Sequence, residues 1–182
     1  MVLLNSSSCN FDWQPTNFQF INLKGEKGSF YDSFDTNGLL VMFICNHCPY
    51  VRSIENKIAT ETQRLKVLNV NSIAFMSNDQ NSYEEDHNKF LLEQISRAKF
   101  EFEYIVDATQ SIAKTFDAQC TPEFYYFSND IKLKYRGRLD SNGKDPSMGK
   151  PELYSAVEEV IAKGYCSSQQ YPSMGCSIKW KN

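Results

Sequence analysis

Two cysteines separated by two residues, Cys45 and Cys48, are the residues whose spacing most directly suggests chemistry. They follow an apolar run, residues 39–44, and precede Pro49, which suits the first turn of a helix because its missing N–H costs nothing there. Unpaired N–H groups and the positive end of a helix dipole stabilise a thiolate, which is the attacking form of cysteine. The second thiol can then resolve a mixed disulfide formed by the first. The pattern predicts a redox-active dithiol.

We expect Cys45 to be the more exposed of the two, because it ends the strand, and we therefore predict Cys45 as the nucleophile and Cys48 as the resolving thiol. The alternatives for this spacing are an inert pair or half of a zinc site. A second Cys-x-x-Cys or paired histidines would support zinc, and the sequence contains neither. The six cysteines are also too sparse for a disulfide-stapled mini-domain. We predict redox chemistry without a metal or other cofactor.

The composition excludes several other classes of protein. The 182 residues, 41% of them hydrophobic, suffice for one core but not for two comfortable domains, so a single domain over residues 1–182 is expected. A net charge of −3 with scattered Lys and Arg gives no support for nucleic-acid binding. No apolar run approaches the roughly 20 residues that span a bilayer. The N-terminus does not resemble a signal peptide, so we expect a cytoplasmic location, or an exported one if a signal has been removed.

Alternating strands and helices are predicted on either side of the cysteine pair. The predicted buried strands cover residues 39–44, 73–76 and 104–106. The helix that begins at Pro49 is expected to continue through Leu65 with one apolar face. A capping box of Ser82 and Glu85 is predicted to open the next helix, and Thr109 is the candidate cap of a short one. Alternation of this kind predicts a parallel core.

The pattern changes in the second half of the chain. Residues 124–127 and the alternating apolar residues 131–135 flank a turn, which predicts an antiparallel hairpin. A last helix is predicted from about Pro151 to a stop at Gly164. We therefore predict an α/β fold with a mixed central sheet flanked by helices. A hairpin extension precedes it, and an irregular C-terminal tail, residues 165–182, packs on it.

Residues 43–51, Phe-Ile-Cys-Asn-His-Cys-Pro-Tyr-Val, and the later Cys120-Thr121-Pro122 resemble the thioredoxin superfamily. More narrowly, they are similar to the thioredoxin-like branch of the alkyl-hydroperoxide-reductase/thiol-specific-antioxidant (redoxin) group. The likeness extends from about Phe18 through the last helix. It implies a thioredoxin-like fold in which Pro122 is cis and faces the redox pair, while Thr121 presents a backbone edge to the substrate.

The resemblance implies a thiol–disulfide oxidoreductase. Its partners would be a disulfide-containing protein or a small thiol or disulfide, together with a recycling reductant or oxidant. His47 resembles the histidine of strongly oxidising relatives, where a nearby imidazole favours the thiolate; a solvated loop histidine is the alternative. Cys120 is either a third redox thiol or a small buried hydrophobe. Cys176 in the tail affects the redox pair as a third thiol, bridges to Cys166, or is unreactive.

A thiol peroxidase and a metal carrier are the alternatives to the oxidoreductase. Peroxiredoxins of this group resemble one another in a Pro-x-x-x-Thr-x-x-Cys loop, which would make the protein an antioxidant thiol peroxidase. Counting back from Cys45 gives Met42 and Gly38, and counting back from Cys48 gives Cys45 and Val41, so the loop is missing. Metal-carrying relatives use a gap of three residues between their cysteines and a distal histidine, whereas the gap here is two. The strand before Cys45 offers no buried carboxylate to accept protons.

Overall fold

The apolar run after Gly38 forms the central strand β4, Leu39–Phe43, of a computed structural model that describes residues 2–181. All five of its residues are 0% exposed. One edge of β4 pairs in parallel with β5, Asn71–Met76, and the other pairs antiparallel with β8, Glu123–Phe127. Strand β4 is paired along both edges and covered on both faces, so none of its side chains reaches solvent. Its sequence is therefore continuously apolar and does not alternate with polar residues.

The central sheet has five strands in the order β6-β5-β4-β8-β9, where β6 is Glu103–Val106 and β9 is Leu133–Gly137. The first three strands in this order are parallel, and β8 and β9 add an antiparallel hairpin at the other edge. The predicted mixed sheet and the predicted hairpin are confirmed.

Helices lie against both faces of this sheet. They are α1 (Pro49–Arg52), α2 (Glu55–Val67), α3 (Asn88–Ala98), α4 (Ser111–Thr115) and α5 (Glu152–Lys163). Apolar side chains of α1, α2, α3 and α5 pack with Leu40 and Met42 in one core cluster. The other face of β4 packs with α4 and with the N-terminal segment in a second cluster. No helix of the described residues is both long and apolar enough to cross a membrane.

Three helix starts differ from the sequence prediction. The single helix expected after Pro49 is divided into α1 and α2, because Ile54 leaves the helical conformation between them. The capping box at Ser82 is wrong, since the Ser82 hydroxyl bonds to Asp79 and α3 begins only at Asn88. Helix α4 is capped mainly by Asp107, whose carboxylate accepts hydrogen bonds from the first-turn N–H groups of residues 112 and 113.

Two smaller sheets flank the central one. The expected N-terminal hairpin is formed by β2, Gln19–Ile21, and β3, Lys27–Ser29. A three-stranded antiparallel sheet has the order β1-β10-β7, with β1 at Leu3–Asn5, β7 at Cys120–Thr121 and β10 at Met174–Ser177. The tail is thus not irregular throughout, because its backbone pairs with the otherwise open edge of β7. A sequence pattern does not reveal that distant partner.

Phe116, which follows α4, lies at the centre of the second core cluster and is 2% exposed. Its ring centroid lies within 6.5 Å of the rings of Trp13, Phe18, Phe30, Phe43, Phe75, Tyr125 and Phe127. This side chain therefore joins the N-terminal segment, α4 and the central sheet.

We predict that Phe116→Ala lowers the free energy of unfolding by about 3–5 kcal/mol, because it removes a buried ring and leaves a cavity. Phe11→Ala is the matched control: Phe11 is 54% exposed, and its loss is expected to change the free energy by less than about 0.5 kcal/mol. Urea denaturation followed by circular dichroism measures both values. Equal effects of the two substitutions would contradict the assignment of Phe116 to the core.

Candidate active site

The two cysteines of the pair occupy different structural positions. Cys45 follows the end of β4, whereas Cys48 is the N-cap residue of α1, with Pro49 at the first helical position. Both cysteines are 0% exposed, and no disulfide joins them. The expectation that Cys45 is the more exposed thiol is wrong, and Cys48 is the thiol that caps the helix. Pro49 sets the first turn of α1, so Cys48 caps the helix and residues 46–47 form a bend, while Thr121 lies against both sulfurs.

Thr121 and Pro122 meet the pair from the other side. The Thr121–Pro122 peptide bond is cis, as the sequence resemblance implies. The Cys45 Sγ lies 3.3 Å from the Thr121 Oγ1, and the Cys48 Sγ lies 3.2 Å from the Thr121 carbonyl oxygen. Thr121, the residue before the cis-proline, therefore contacts one sulfur through its side chain and the other through its backbone.

A third sulfur joins this cluster from the tail. The Cys176 Sγ lies 2.7 Å from the Cys48 Sγ, and Cys176 stands opposite Thr121 in the pairing of β10 with β7. A bridge between Cys166 and Cys176 is not formed, because Cys176 faces Cys48 and the Cys166 Sγ lies 3.7 Å from the Ser168 carbonyl oxygen. Of the alternatives for Cys176, the bridge to Cys166 is therefore wrong.

Cys120 is buried but faces away from the cluster. Successive side chains of a strand point to opposite sides, so the side chain of Thr121 turns toward Cys45 while that of Cys120 does not. The Cys120 Sγ lies 3.9 Å from the Ser173 carbonyl oxygen and 4.0 Å from a carboxylate oxygen of Glu123. Burial raises its pKa, which fits the expectation of a small buried hydrophobe.

The three clustered thiols differ in their proton affinity. A hydrogen bond from the Cys45 thiol lowers the pKa of Cys48 to about 5 despite burial, assisted by the Cys176 thiol and the Val51 N–H. Burial, the hydrogen bond to Cys48 and the charge of Asp86 raise the pKa of Cys45 well above its usual value. Burial and the hydrogen bond to Cys48 raise the pKa of Cys176 to about 12. Of the three thiols, Cys48 is the one whose pKa is lowered, which favours the thiolate form there.

Asp86 is the residue of this site that sequence reasoning missed. It is 0% exposed, and its carboxylate accepts hydrogen bonds from the Asn46 and His47 N–H groups and from the Asn78 amide, at 2.8–3.0 Å. Its other contact is with the Nδ1 of His47, at 2.6 Å. Burial acts to raise the pKa of Asp86, but these hydrogen bonds, led by that of His47, lower it. Its position in an acidic run, residues 84–86, gives no signal that this one carboxylate is internal.

His47 is not a solvated loop residue. Its side chain is 6% exposed and stacks on Tyr83 with a centroid distance of 4.2 Å. Its Nε2 is buried and has no hydrogen-bond partner among the described residues.

The side chains of Cys45, His47 and Asp86 each offer one atom that could bind a metal, and these atoms lie within 4.8 Å of one another, which is the spacing of a metal ligand set. The Asp86 oxygens already contact four nitrogen atoms, and the Cys45 sulfur contacts Thr121 instead of Asp86 or His47.

A cavity of about 240 Å³ opens beside the cis-proline. Its lining is mainly apolar and includes Tyr50, Pro122, Leu139 and Met174. Tyr50 follows Cys48 in α1, and Met174 begins β10, so the cavity borders the elements that hold the sulfur cluster.

A thiol pair at a strand-to-helix turn, facing a cis-proline at the end of a mixed sheet, defines a thioredoxin-fold redox protein. Residues 14–136 match the AhpC/TSA family, and the chain belongs to that family. Its members in general imply thiol oxidoreductase or peroxidase activity. Among curated proteins, none matches this sequence significantly.

Solved structures extend the likeness beyond the family match. An uncharacterized conserved protein from Geobacillus kaustophilus is 32% identical, with a TM-score of 0.91 over 100% of this chain and 97% of that chain. A hypothetical protein from Sinorhizobium meliloti 1021 is 30% identical, with a TM-score of 0.88 over 97% of this chain and 98% of that chain. A secreted Mycobacterium tuberculosis disulfide oxidoreductase, homologous to E. coli DsbE, is 13% identical with a TM-score of 0.60, over 78% of this chain and 94% of that chain. The last likeness shows the fold alone.

We predict that the reduced protein shows one thiolate that titrates near pH 5, and that Cys48→Ser abolishes it. Ultraviolet thiolate absorbance as a function of pH measures this transition. Because the folded pKa is about 5 and the ordinary value is 9.0, Cys48 stabilises the fold fully above pH 9 and loses that contribution as the pH falls through 5. The stability difference between wild type and Cys48→Ser should therefore grow from pH 5 to 9, and a constant difference would contradict the lowered pKa.

Proposed function

We propose that the protein is a thiol–disulfide oxidoreductase that acts through Cys45 and Cys48 on protein or small-molecule disulfides. The observation that supports this most directly is the position of Cys48 at the N-terminus of α1, with the Cys45 and Cys48 sulfurs both in contact with Thr121 beside the cis-proline. This arrangement pairs a stabilised thiolate with a second thiol that is close enough to displace it from a mixed disulfide.

The proposed reaction begins with the Cys48 thiolate, which reverses the roles expected from the sequence. Cys48 attacks one sulfur of the substrate disulfide, so that a mixed disulfide forms and the other substrate sulfur leaves as a thiolate. Cys45 then loses its proton and attacks the Cys48 sulfur, which releases the second substrate thiol and forms the Cys45–Cys48 disulfide. The substrate gains two electrons from the pair and two protons, one from Cys45 and one from solvent. A recycling reductant returns the pair to the dithiol, and a recycling oxidant would drive the reverse reaction.

Asp86 and His47 are the proposed positioning residues for this chemistry. The Asp86 carboxylate accepts the N–H groups of residues 46 and 47 and thus fixes the bend that separates the two thiols. Its charge also raises the pKa of Cys45, which keeps the proton on Cys45 and the negative charge on Cys48. The mainly apolar cavity beside Pro122 is the proposed entry for the substrate, since it borders both α1 and the cis-proline.

We predict that Cys48→Ser slows reduction of an aromatic disulfide by about a hundred-fold or more, because the thiols that remain in the cluster hold their protons at neutral pH. Cys45→Ser should keep the first attack within about ten-fold of wild type, because the attacking Cys48 is retained and a serine hydroxyl is also a hydrogen-bond donor to its sulfur, while the resolving step is lost. The release of the coloured aromatic thiol in a single turnover measures both rates. Cys166→Ser is the control and should behave as wild type. Loss of the first attack in Cys45→Ser with retention in Cys48→Ser would restore Cys45 as the nucleophile.

Peroxide consumption should be slow compared with disulfide exchange, because the Pro-x-x-x-Thr-x-x-Cys loop of peroxiredoxins is missing. A coupled assay with hydrogen peroxide, run beside the disulfide assay on the same preparation, compares the two rates. Fast peroxide turnover that survives Cys45→Ser but not Cys48→Ser would contradict the proposal and indicate a thiol peroxidase.

A further inference from the structure

The strand edge next to the reactive sulfur is occupied by the protein's own tail. Strand β7 presents one backbone edge to β10, and the register places Cys176 opposite Thr121 and Ser177 opposite Cys120. Strand β1 pairs with the other edge of β10. A peptide that added to the same edge of β7 would make the same main-chain hydrogen bonds, which is the usual way in which an extended segment binds a sheet edge.

The close approach of β10 to β7 depends on Gly175. A Cβ atom at this residue would lie 2.0 Å from the Thr121 carbonyl oxygen and 2.7 Å from its carbonyl carbon, and both belong to the backbone. Only glycine therefore permits the observed distance between the strands at this point.

Contacts on both sides of Cys176 hold the tail in this position. On the N-terminal side, the Ser173 hydroxyl donates to the Gly137 carbonyl oxygen at 2.5 Å. On the C-terminal side, Ile178 is 3% exposed within the second core cluster, and the Lys179 N–H donates to the Asn78 side chain at 2.9 Å. Cys176 is thus placed against Cys48 by packing on either side, and not by the contact between the two sulfurs alone.

We propose that Cys176 is a built-in exchange partner of Cys48, so that the protein forms two alternative disulfides, Cys45–Cys48 and Cys48–Cys176. This inference rests on the proposed dithiol function and extends it to a third thiol. The Cys176 thiolate attacks the Cys48 sulfur of the Cys45–Cys48 disulfide, the bond between Cys45 and Cys48 breaks, and Cys45 leaves as a thiolate that takes up the proton that Cys176 lost. The exchange moves the disulfide to the tail without net oxidation or reduction. The same attack on a mixed disulfide of Cys48 releases the substrate thiol.

The tail then has a defined role in the reaction. In the dithiol state β10 covers Cys48, which is 0% exposed, so an external disulfide has to displace β10 to reach it. In the oxidised state the same strand receives the disulfide on Cys176. Access to Cys48 and transfer of the disulfide are therefore governed by one segment, residues 173–178.

The test uses full-length protein, glutathione disulfide as the oxidant, and mass-spectrometric mapping without reduction. In Cys45→Ser, we expect the Cys48–Cys176 disulfide and loss of the glutathione adduct. In Cys45→Ser/Cys176→Ser, we expect the adduct on Cys48 to accumulate. Cys45→Ser/Cys166→Ser is the matched control, because it removes a tail cysteine outside the cluster and should still close the Cys48–Cys176 bond.

Wild type and Gly175→Ala provide a second measurement that leaves the three thiols unchanged. Oxidised wild type should show both linkages, whereas Gly175→Ala should keep Cys45–Cys48 and lose Cys48–Cys176, because the added Cβ moves β10 away from β7. Two results together would overturn the built-in exchange and leave the proposed function intact. In Cys45→Ser, the Cys48–glutathione adduct would be stable while Cys176 remains fully alkylated. In wild type, the Cys45–Cys48 disulfide would form normally. Failure of wild type to form either an adduct or an internal disulfide would overturn both.

Discussion

The position of the candidate active site depends on the burial of β4, which is paired along both edges and covered on both faces. The chain leaves the centre of the sheet only at the end of this strand, where Cys45 and the bend begin. Strand β8 runs antiparallel to β4 with Glu123 opposite Phe43, so the residues just before β8 reach the same end of the sheet. The cysteine pair and the peptide Thr121–Pro122 therefore meet because strand pairing fixes both, although some seventy residues separate them along the chain.

Charge within the buried cluster is distributed by hydrogen bonding. Burial by itself raises the pKa of each thiol and so favours its neutral form. Among the three thiols, only Cys48 accepts enough hydrogen bonds to lower its pKa despite burial. The donors are the thiols of Cys45 and Cys176 and the backbone N–H groups of Val51 and Cys176. Burial, together with the hydrogen bond to Cys48, raises the pKa of each of the two donor thiols. The lowered pKa of Cys48 is thus a property of the cluster. Substituting any one of the three sulfurs changes the proton affinity of the others.

Two internal carboxylates satisfy the irregular backbone around the sulfurs. Asp86 accepts the N–H groups of the bend after β4, which have no partner in the sheet. Glu123 is also 0% exposed; it bonds to Arg136 at 2.8 Å and accepts the N–H of Gln119 just before β7. Each carboxylate is compensated by several donors, which is the condition under which a buried charge is tolerated. Together they hold the bend and β7 in the positions that bring Cys48 against Thr121.

The sequence by itself determined the features that depend on local pattern: the buried strand before Cys45, the helix start at Pro49, the hairpin of β8 and β9, and, through its resemblance to a family, the cis bond at Pro122. Only the tertiary structure decided which thiol caps α1, that both are buried, that Asp86 lies under His47, and that Cys176 meets Cys48. These features join residues far apart in the chain, or depend on where a turn places a side chain. Their physical basis is the pairing and packing of whole elements, and neither composition nor spacing records which distant element fills an open strand edge.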